Sequence, residues 1–194
     1  MASENNKASG GSVRRILTIL IAAALMAAVA FCAYSFCEKR QGREKADRVM
    51  SSLQQIIPGL GQDTGIQTGA GRDPLAKVSI EGLDIVGVLE IPSLDICAPV
   101  TGKSINEEYF AEWQSGSPAK GHFMLRGNKG DLFHSISKLE PGEKVYFTDI
   151  DGVRYPYHVV TQYHLKKWDE GGNDLLLCYE SDDDTFFAVG CSAE

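Results

Sequence analysis

The stretch that decides the fold is LDIVGVLEIPSLDICAPVTGKSINEEYF, residues 83–110. It contains two short apolar runs, at 86–92 and 94–100, in which apolar and polar residues partly alternate, as they do in β-strands. Further runs of this kind lie at 121–127, 144–160, 174–179 and 185–191. Short strands with frequent turns favour a closed or nearly closed β-barrel.

Two local signals refine this prediction. Residues 144–160 predict a hairpin that turns at Asp151 and Gly152. Residues 131–143 predict one short helix, which Pro141 and Gly142 end. The expected fold class is therefore mostly β, with short helices.

Residues 37–74, between an apolar segment at 16–36 and the barrel, divide into a helix and a spacer. Residues 40–57 predict a juxtamembrane helix, because apolar residues recur there at helical spacing: Val49, Leu53, Ile56 and Ile57. Residues 61–74 combine Gly, Thr and Gln with no apolar period, which is typical of a flexible spacer. The folded domain is expected to span 75–194.

Residues 16–36 are free of charged side chains, and a helix of this length matches a hydrocarbon core of roughly 30 Å. We interpret them as a single-pass signal anchor, with residues 1–15 in the cytoplasm. A cleaved signal peptide is the alternative, with the small residues of 28–30 as its site. The apolar run continues through Phe36, which favours the anchor. Basic residues after the span outnumber those before it, so a positive-inside count alone favours the opposite orientation.

The net charge differs in sign between the N-terminal part of the chain, residues 1–74, and the predicted domain at 75–194. Residues 1–74 carry nine basic and six acidic residues, a net +3, whereas residues 75–194 carry ten and twenty, a net −10. An acidic domain argues against nucleic acid as a partner, because binding to phosphates relies on clustered Lys and Arg. The acidic run at 182–184 has the ligand type that Ca²⁺ prefers, but we interpret it as a solvated loop and expect no metal and no cofactor.

The five cysteines show no CxxC pair and no spacing typical of a zinc site. Cys32 and Cys37 lie in or beside the apolar segment, which leaves Cys97, Cys178 and Cys191 for the domain. Whether Cys97 and Cys191 form a disulfide stays open. A buried cysteine that acts as a small apolar residue is the simplest interpretation of any one of them.

The quoted stretch resembles the opening of the sortase domain, in which an acidic residue, a Gly, an Ile-Pro and a Pro-Val before a Gly recur at this spacing. The resemblance continues through GHFMLRGNKGDLFHSISKLEPGEKVYFTDIDGVRYPYHVV, residues 121–160, and covers nearly all of 83–191. It looks most like class B. Sortases are membrane-anchored cysteine transpeptidases of Gram-positive surfaces, so the resemblance implies an eight-stranded β-barrel held outside the cell membrane.

The resemblance also implies a mechanism. A Cys thiolate attacks a peptide bond of a sorting signal, a His protonates the leaving amine, and an Arg stabilises the oxyanion. In a gap-free alignment the His position is Asn128. Aligning 175–177 with the family's strand pattern places Glu180 at the Cys position, and the Arg position, just before FFAV, is Thr185. None of these three residues can perform the family's step.

Two hypotheses follow. In the first, the protein is an inactive member of the family that binds or scaffolds a sorting-signal peptide, a pilin or another sortase. In the second, a register shifted by two residues makes Cys178 the nucleophile of a divergent transpeptidase, with His122 or another His brought near by folding. The acidic run after Cys178 speaks against a thiolate there, since like charge raises a thiol's pKa. A truncated gene product is a third alternative.

Overall fold

The computed structural model describes residues 9–57, 60, 73–102, 109–128, 131–165, 172–181 and 185–194. The chain divides into two compact units, Met1–Gln41 and Gly42–Glu194. All the described strands lie in the second unit. The predicted spacer at 61–74 lies almost entirely outside the described residues.

The described residues form nine strands, two α-helices and two 3₁₀ turns. The strands are β1 Val78–Ile80, β2 Leu83–Ile91, β3 Ile96–Thr101, β4 Ala111–Ser117, β5 Gly121–Gly127, β6 Lys144–Asp149, β7 Arg154–Leu165, β8 Leu175–Glu180 and β9 Phe186–Ala193. The helices are α1 Ser9–Ile56 and α2 Asp131–His134, and the 3₁₀ turns are Pro92–Leu94 and Ser135–Lys138.

The strands close into a barrel. Their order is β1-β2-β3-β4-β5-β8-β9-β7-β6, and β2 also pairs with β6. The ring from β2 to β6 thus contains eight of the described strands, and β1 is an antiparallel addition to β2 outside the ring. The pairs β3–β4 and β5–β8 are parallel. The predicted eight-stranded barrel with few short helices is confirmed.

Alternation along the strands separates two apolar clusters. The main core contains Phe123, Leu125 and Leu177, and the rings of Phe123 and Phe147 meet edge to face at 4.7 Å. Residues between these positions point to the other face of the sheet, because side chains alternate along a strand. Met124 and Cys178 belong to the cluster on that outer face.

Helix α1 includes the predicted juxtamembrane helix up to Ile56. Its C-terminal turns are fixed to the barrel by an apolar stripe at 46, 49, 53 and 57. Leu53 is fully buried there, in one cluster with Ile85 of β2 and Phe110. Within the part of the chain that the structure describes, no helix meets the length and hydropathy that a membrane span requires.

The structure differs from the sequence-based prediction in four elements. Strands β1 and β4 were not predicted, and β7 continues to Leu165 rather than ending at 160. The predicted helix at 131–143 is shorter: α2 ends at His134, and the 3₁₀ turn that follows ends at Lys138. The sequence of β4 is polar after Trp113, so its pairing with β5 rather than its own pattern defines it as a strand.

Candidate functional site

The three positions singled out by the sequence lie at the same end of three neighbouring strands. On β5 and β8, Gly127 is opposite Tyr179, so Asn128 and Glu180 are the next residues on the two parallel strands. Glu180 is opposite Phe186 at the start of β9, and Thr185 directly precedes it. The amide of Ser181 donates to the carbonyl of Thr185 at 2.6 Å, which closes this end of the β8–β9 pair.

A glycine shapes the chain beside Asn128. A Cβ on Gly127 would lie 1.8 Å from Cγ of Phe133, a fully buried ring in the helix that follows. The helix can therefore pack directly on the end of β5. His134, the last residue of α2, contacts Tyr179 edge to face with ring centroids 5.8 Å apart.

Arg126 is a residue of this site that sequence reasoning missed. Its Nη2 contacts Oε2 of Glu180 at 3.1 Å, and the side chains are 33% and 52% exposed. A cation is thus present at the strand ends, but it comes from β5 and not from β9. Its position two residues before Asn128, on the same face of a strand, was the available signal. The contact with Glu180, 54 residues further along the chain, required the strand register.

Cys178 is buried beside this ion pair. It lies opposite Arg126 on β5 and Ala188 on β9. The side chain has no exposed surface, and Sγ donates to the carbonyl of Leu125 at 3.5 Å. Burial raises the pKa of the Cys178 thiol to about 12, an effect that the nearby positive charge of Arg126 only reduces. The thiolate that nucleophilic attack requires is therefore disfavoured in this position.

The structure does not bring His122 to Cys178. His122 lies at the opposite end of β5 from Asn128, with a positive φ of 52°. At about 3.3 Å per residue, it is roughly 13 Å along the strand from Arg126, the neighbour of Cys178. The ring of His164 contacts the ring of Phe187 edge to face, with centroids 5.3 Å apart. His158 lies opposite Lys144 in the register of β6 and β7.

The other cysteines of the domain are separate. Cys97 is an exposed free thiol on β3, and Cys191 is a buried free thiol on β9. The structure thus contains no disulfide between them. Burial raises the pKa of Cys191 to about 12, and partial desolvation of the sulfur together with the charge of Glu90 raises the pKa of Cys97 to about 11. The acidic residues 182–184 lie outside the described residues.

The closed eight-stranded barrel, with its few short helices, has the sortase fold. It superposes on sortase A from Corynebacterium diphtheriae with a TM-score of 0.52 and 16% identity, covering 80% of this chain and 84% of that one. It also superposes on Clostridium perfringens sortase C, solved with the C-terminal cell wall sorting motif. That match has a TM-score of 0.51 and 16% identity, and covers 78% of this chain and 90% of the other.

Among curated proteins, the chain is similar to sortase A of Bacillus anthracis, with 28% identity over 117 residues. The match covers 53% of this chain and 55% of the relative, so the chain spans about half the length of the curated relative that it matches. No protein-family model matches the sequence. These relatives are sortases A and C, and the finer prediction of class B stays a prediction.

Proposed function

We propose that this protein is a membrane-anchored member of the sortase family, of class B type, that binds a sorting-signal peptide without cleaving it. The observation that carries the proposal is the state of Cys178, which is fully buried and has a pKa raised to about 12. In this proposal the protein is a binding or scaffolding module for the attachment of surface proteins or pili, with a pilin or an active sortase as further partners.

The strand ends support binding rather than chemistry. Asn128 and Thr185 can donate and accept hydrogen bonds, but neither can act as a general acid or as a cation near neutral pH. Glu180 is already engaged with Arg126. An amide, a hydroxyl and an ion pair at one end of the barrel offer both donors and acceptors to an extended peptide backbone.

The alternative is a divergent transpeptidase that uses Cys178. It has one observation in its favour, since Arg126 lies beside the thiol and is a cation that could stabilise an oxyanion. Against it stand the burial of the thiol and the separation of His122 along β5. For these reasons we favour the binding module.

Attachment to a membrane is part of the proposal and rests on the uncharged sequence 16–36. In this arrangement residues 1–15 are cytoplasmic and the domain at 75–194 lies outside a Gram-positive-type cell membrane. The acidic character of that domain supports a partner other than nucleic acid.

The test compares cleavage and binding of the same peptides. The full chain, its Cys178→Ala variant and an Asn128→Ala, Glu180→Ala double variant are incubated with fluorescent peptides that carry C-terminal cell wall sorting motifs. We expect no cleavage by the full chain, equal binding by Cys178→Ala, and binding weakened about tenfold in the double variant, as the loss of two polar contacts implies. Cleavage that disappears in Cys178→Ala would establish the transpeptidase instead, and the absence of binding to every peptide would refute the proposal.

A further inference from the structure

A second site is formed on strands that take no part in the first. A cleft of about 610 Å³ lies beside β2, β6 and the start of β7, whereas Asn128 directly follows β5 and Glu180 ends β8. Its lining consists of Glu90, Ser93, Glu143, Lys144, Tyr146 and Arg154, with Pro92 and Gly142. The volume is in the range of small-molecule sites in proteins.

An ion pair forms part of the wall of this cleft. Nη2 of Arg154 contacts Oε2 of Glu90 at 3.1 Å, and the side chains are only 17% and 12% exposed. The guanidinium also lies over the ring of Tyr146, with Cζ 4.0 Å from the centroid. Neighbouring strands fix this arrangement, because Glu90 of β2 is opposite Tyr146 of β6. Each charge is neutralised by the other, so the wall favours neither an anion nor a cation.

Hydrogen bonding in the wall is incomplete. Within the described part of the chain, Oε2 of Glu90 and Nε of Arg154 are buried and have no hydrogen-bond partner, since the 3.1 Å contact lacks hydrogen-bond geometry. One of these atoms is an acceptor and the other a donor, and unmet groups of this kind are costly when buried. A hydroxyl group can donate to the first and accept from the second. Both atoms are covered, so a ligand reaches them only if the guanidinium shifts on the Tyr146 ring.

The rim has the same balance of charge. Lys144 and Glu143 are adjacent, and Oε2 of Glu143 accepts from the amide of Glu140 at 2.8 Å. Nζ of Lys144 lies 3.6 Å from Oε1 of Glu194. Ser93 adds an exposed hydroxyl that can both donate and accept. The charged side chains that line the cleft are two acidic and two basic, so the lining itself carries no net charge and offers both donors and acceptors.

We propose that this cleft binds an uncharged, polyhydroxylated ligand, a small oligosaccharide, with hydroxyls of the ligand bridging Glu90 and Arg154. The ionised side chains provide hydrogen bonds stronger than those between neutral groups. The ring of Tyr146, covered on one face by the guanidinium, also lines the cleft. The cleft and the strand ends lie on different strands. Oligosaccharide binding and peptide binding can therefore be tested, and refuted, independently of each other.

The test is saturation-transfer NMR on the full chain in a detergent without sugar groups, with chitotriose and maltotriose as probes. Glutamate and lysine serve as charged comparators. We expect saturation transfer to at least one trisaccharide, and dissociation constants raised about tenfold or more by Glu90→Gln and by Arg154→Lys. Glu81→Gln, which removes a partner from the distant 2.9 Å ion pair with Arg48, should leave the affinity unchanged.

A variant at the rim of the cleft keeps the test valid if Glu90→Gln and Arg154→Lys impair folding. Ser93 lies on the exposed rim, so Ser93→Ala leaves the packing intact and should weaken binding about threefold. Saturation transfer to neither trisaccharide at millimolar concentration would overturn the proposal. So would binding of the charged comparators alone, or saccharide binding that Glu90→Gln, Arg154→Lys and Ser93→Ala all leave unchanged.

Discussion

At the scale of single residues, burial decides what the cysteines can do. Cys178 and Cys191 lie on β8 and β9 and are fully buried, whereas Cys97 on β3 is exposed. Each has a raised pKa, and desolvation of the thiol is the largest cause for all three, although it is only partial for Cys97. The sequence placed Cys178 directly after three leucines, and the apolar run indicated burial more reliably than it indicated a nucleophile.

We predict that alkylation of the native protein separates the thiols. Among the three thiols of the domain, Cys97 should react first, although with a pKa of about 11 only about one thiol in a thousand is ionised at pH 8. Cys178 and Cys191 should react only when the protein unfolds, because reagent cannot reach them in the barrel. Mass spectrometry of peptides after timed iodoacetamide treatment, with and without urea, measures this. Native labelling of Cys178 as fast as that of Cys97 would contradict it.

Asp149 ties the turn between β6 and β7. Oδ1 accepts from the amides of Asp151 at 3.0 Å and Val153 at 2.9 Å, and Oδ2 accepts from the hydroxyl of Tyr155 at 3.1 Å. Burial nevertheless outweighs these bonds and raises the pKa of Asp149 above its usual 3.8. The native state then binds the proton more tightly than the unfolded state does, so this group's contribution to stability falls as pH rises from 3.8 through the native pKa.

Asp149→Asn should remove that dependence while its amide oxygen keeps accepting the two backbone hydrogen bonds. The free energy of unfolding of the wild type minus that of the variant is therefore expected to decrease as pH rises above 3.8, and to level off once Asp149 is ionised. Urea unfolding of both proteins across a pH series gives this difference. A difference that grows with pH would mean that the native pKa is lowered instead.

At the scale of elements, the sequence was most informative where apolar residues alternate. The runs at 86–92, 121–127 and 185–191 correspond to β2, β5 and β9. Strand β4 could not be found this way, since Gln114, Ser115 and Gly116 carry no apolar side chain and the strand exists through its pairing with β5. The candidate site follows the same rule, because the resemblance located Asn128 but the contact between Arg126 and Glu180 depends on long-range register.

Helix α1 offers a test of packing at this scale. Leu53 is fully buried against the barrel, and its neighbour Gln54 is exposed. Leu53→Ala should lower the free energy of unfolding by about 2–5 kcal/mol, because it removes buried methyl groups and leaves a cavity. Gln54→Ala keeps helix propensity and should change it by less than about 0.5 kcal/mol. Urea titration of both variants measures the effects, and equal stability of the two would mean that the helix does not pack as described.

At the scale of the whole molecule, closure depends on one junction. Without the pairing of β2 with β6, the order of strands is an open sheet with unpaired edges. Gly87 lies at this junction opposite Asp149. A Cβ there would be 2.3 Å from the carbonyl oxygen of Thr148 and 2.6 Å from Cζ of Phe147, whose ring is fully buried. The Phe147 ring cannot move without disturbing the core, and the Thr148 carbonyl cannot move without disturbing the hydrogen bonds between β2 and β6.

Gly87→Ala should therefore weaken the pairing of β2 with β6 that closes the barrel. We expect a loss of about 1–3 kcal/mol in unfolding free energy, as for other insertions into packed interiors, with faster hydrogen exchange at the amides that join β2 to β6. Gly172→Ala is the matched control, because nothing lies within 4 Å of its Cβ position. If both variants keep wild-type stability and exchange, the β2–β6 junction tolerates a side chain and does not limit closure. If exchange rises at β2 and β6 but not at β5 and β8, the β2–β6 junction opens locally while the strand ends that hold Asn128 and Glu180 stay assembled.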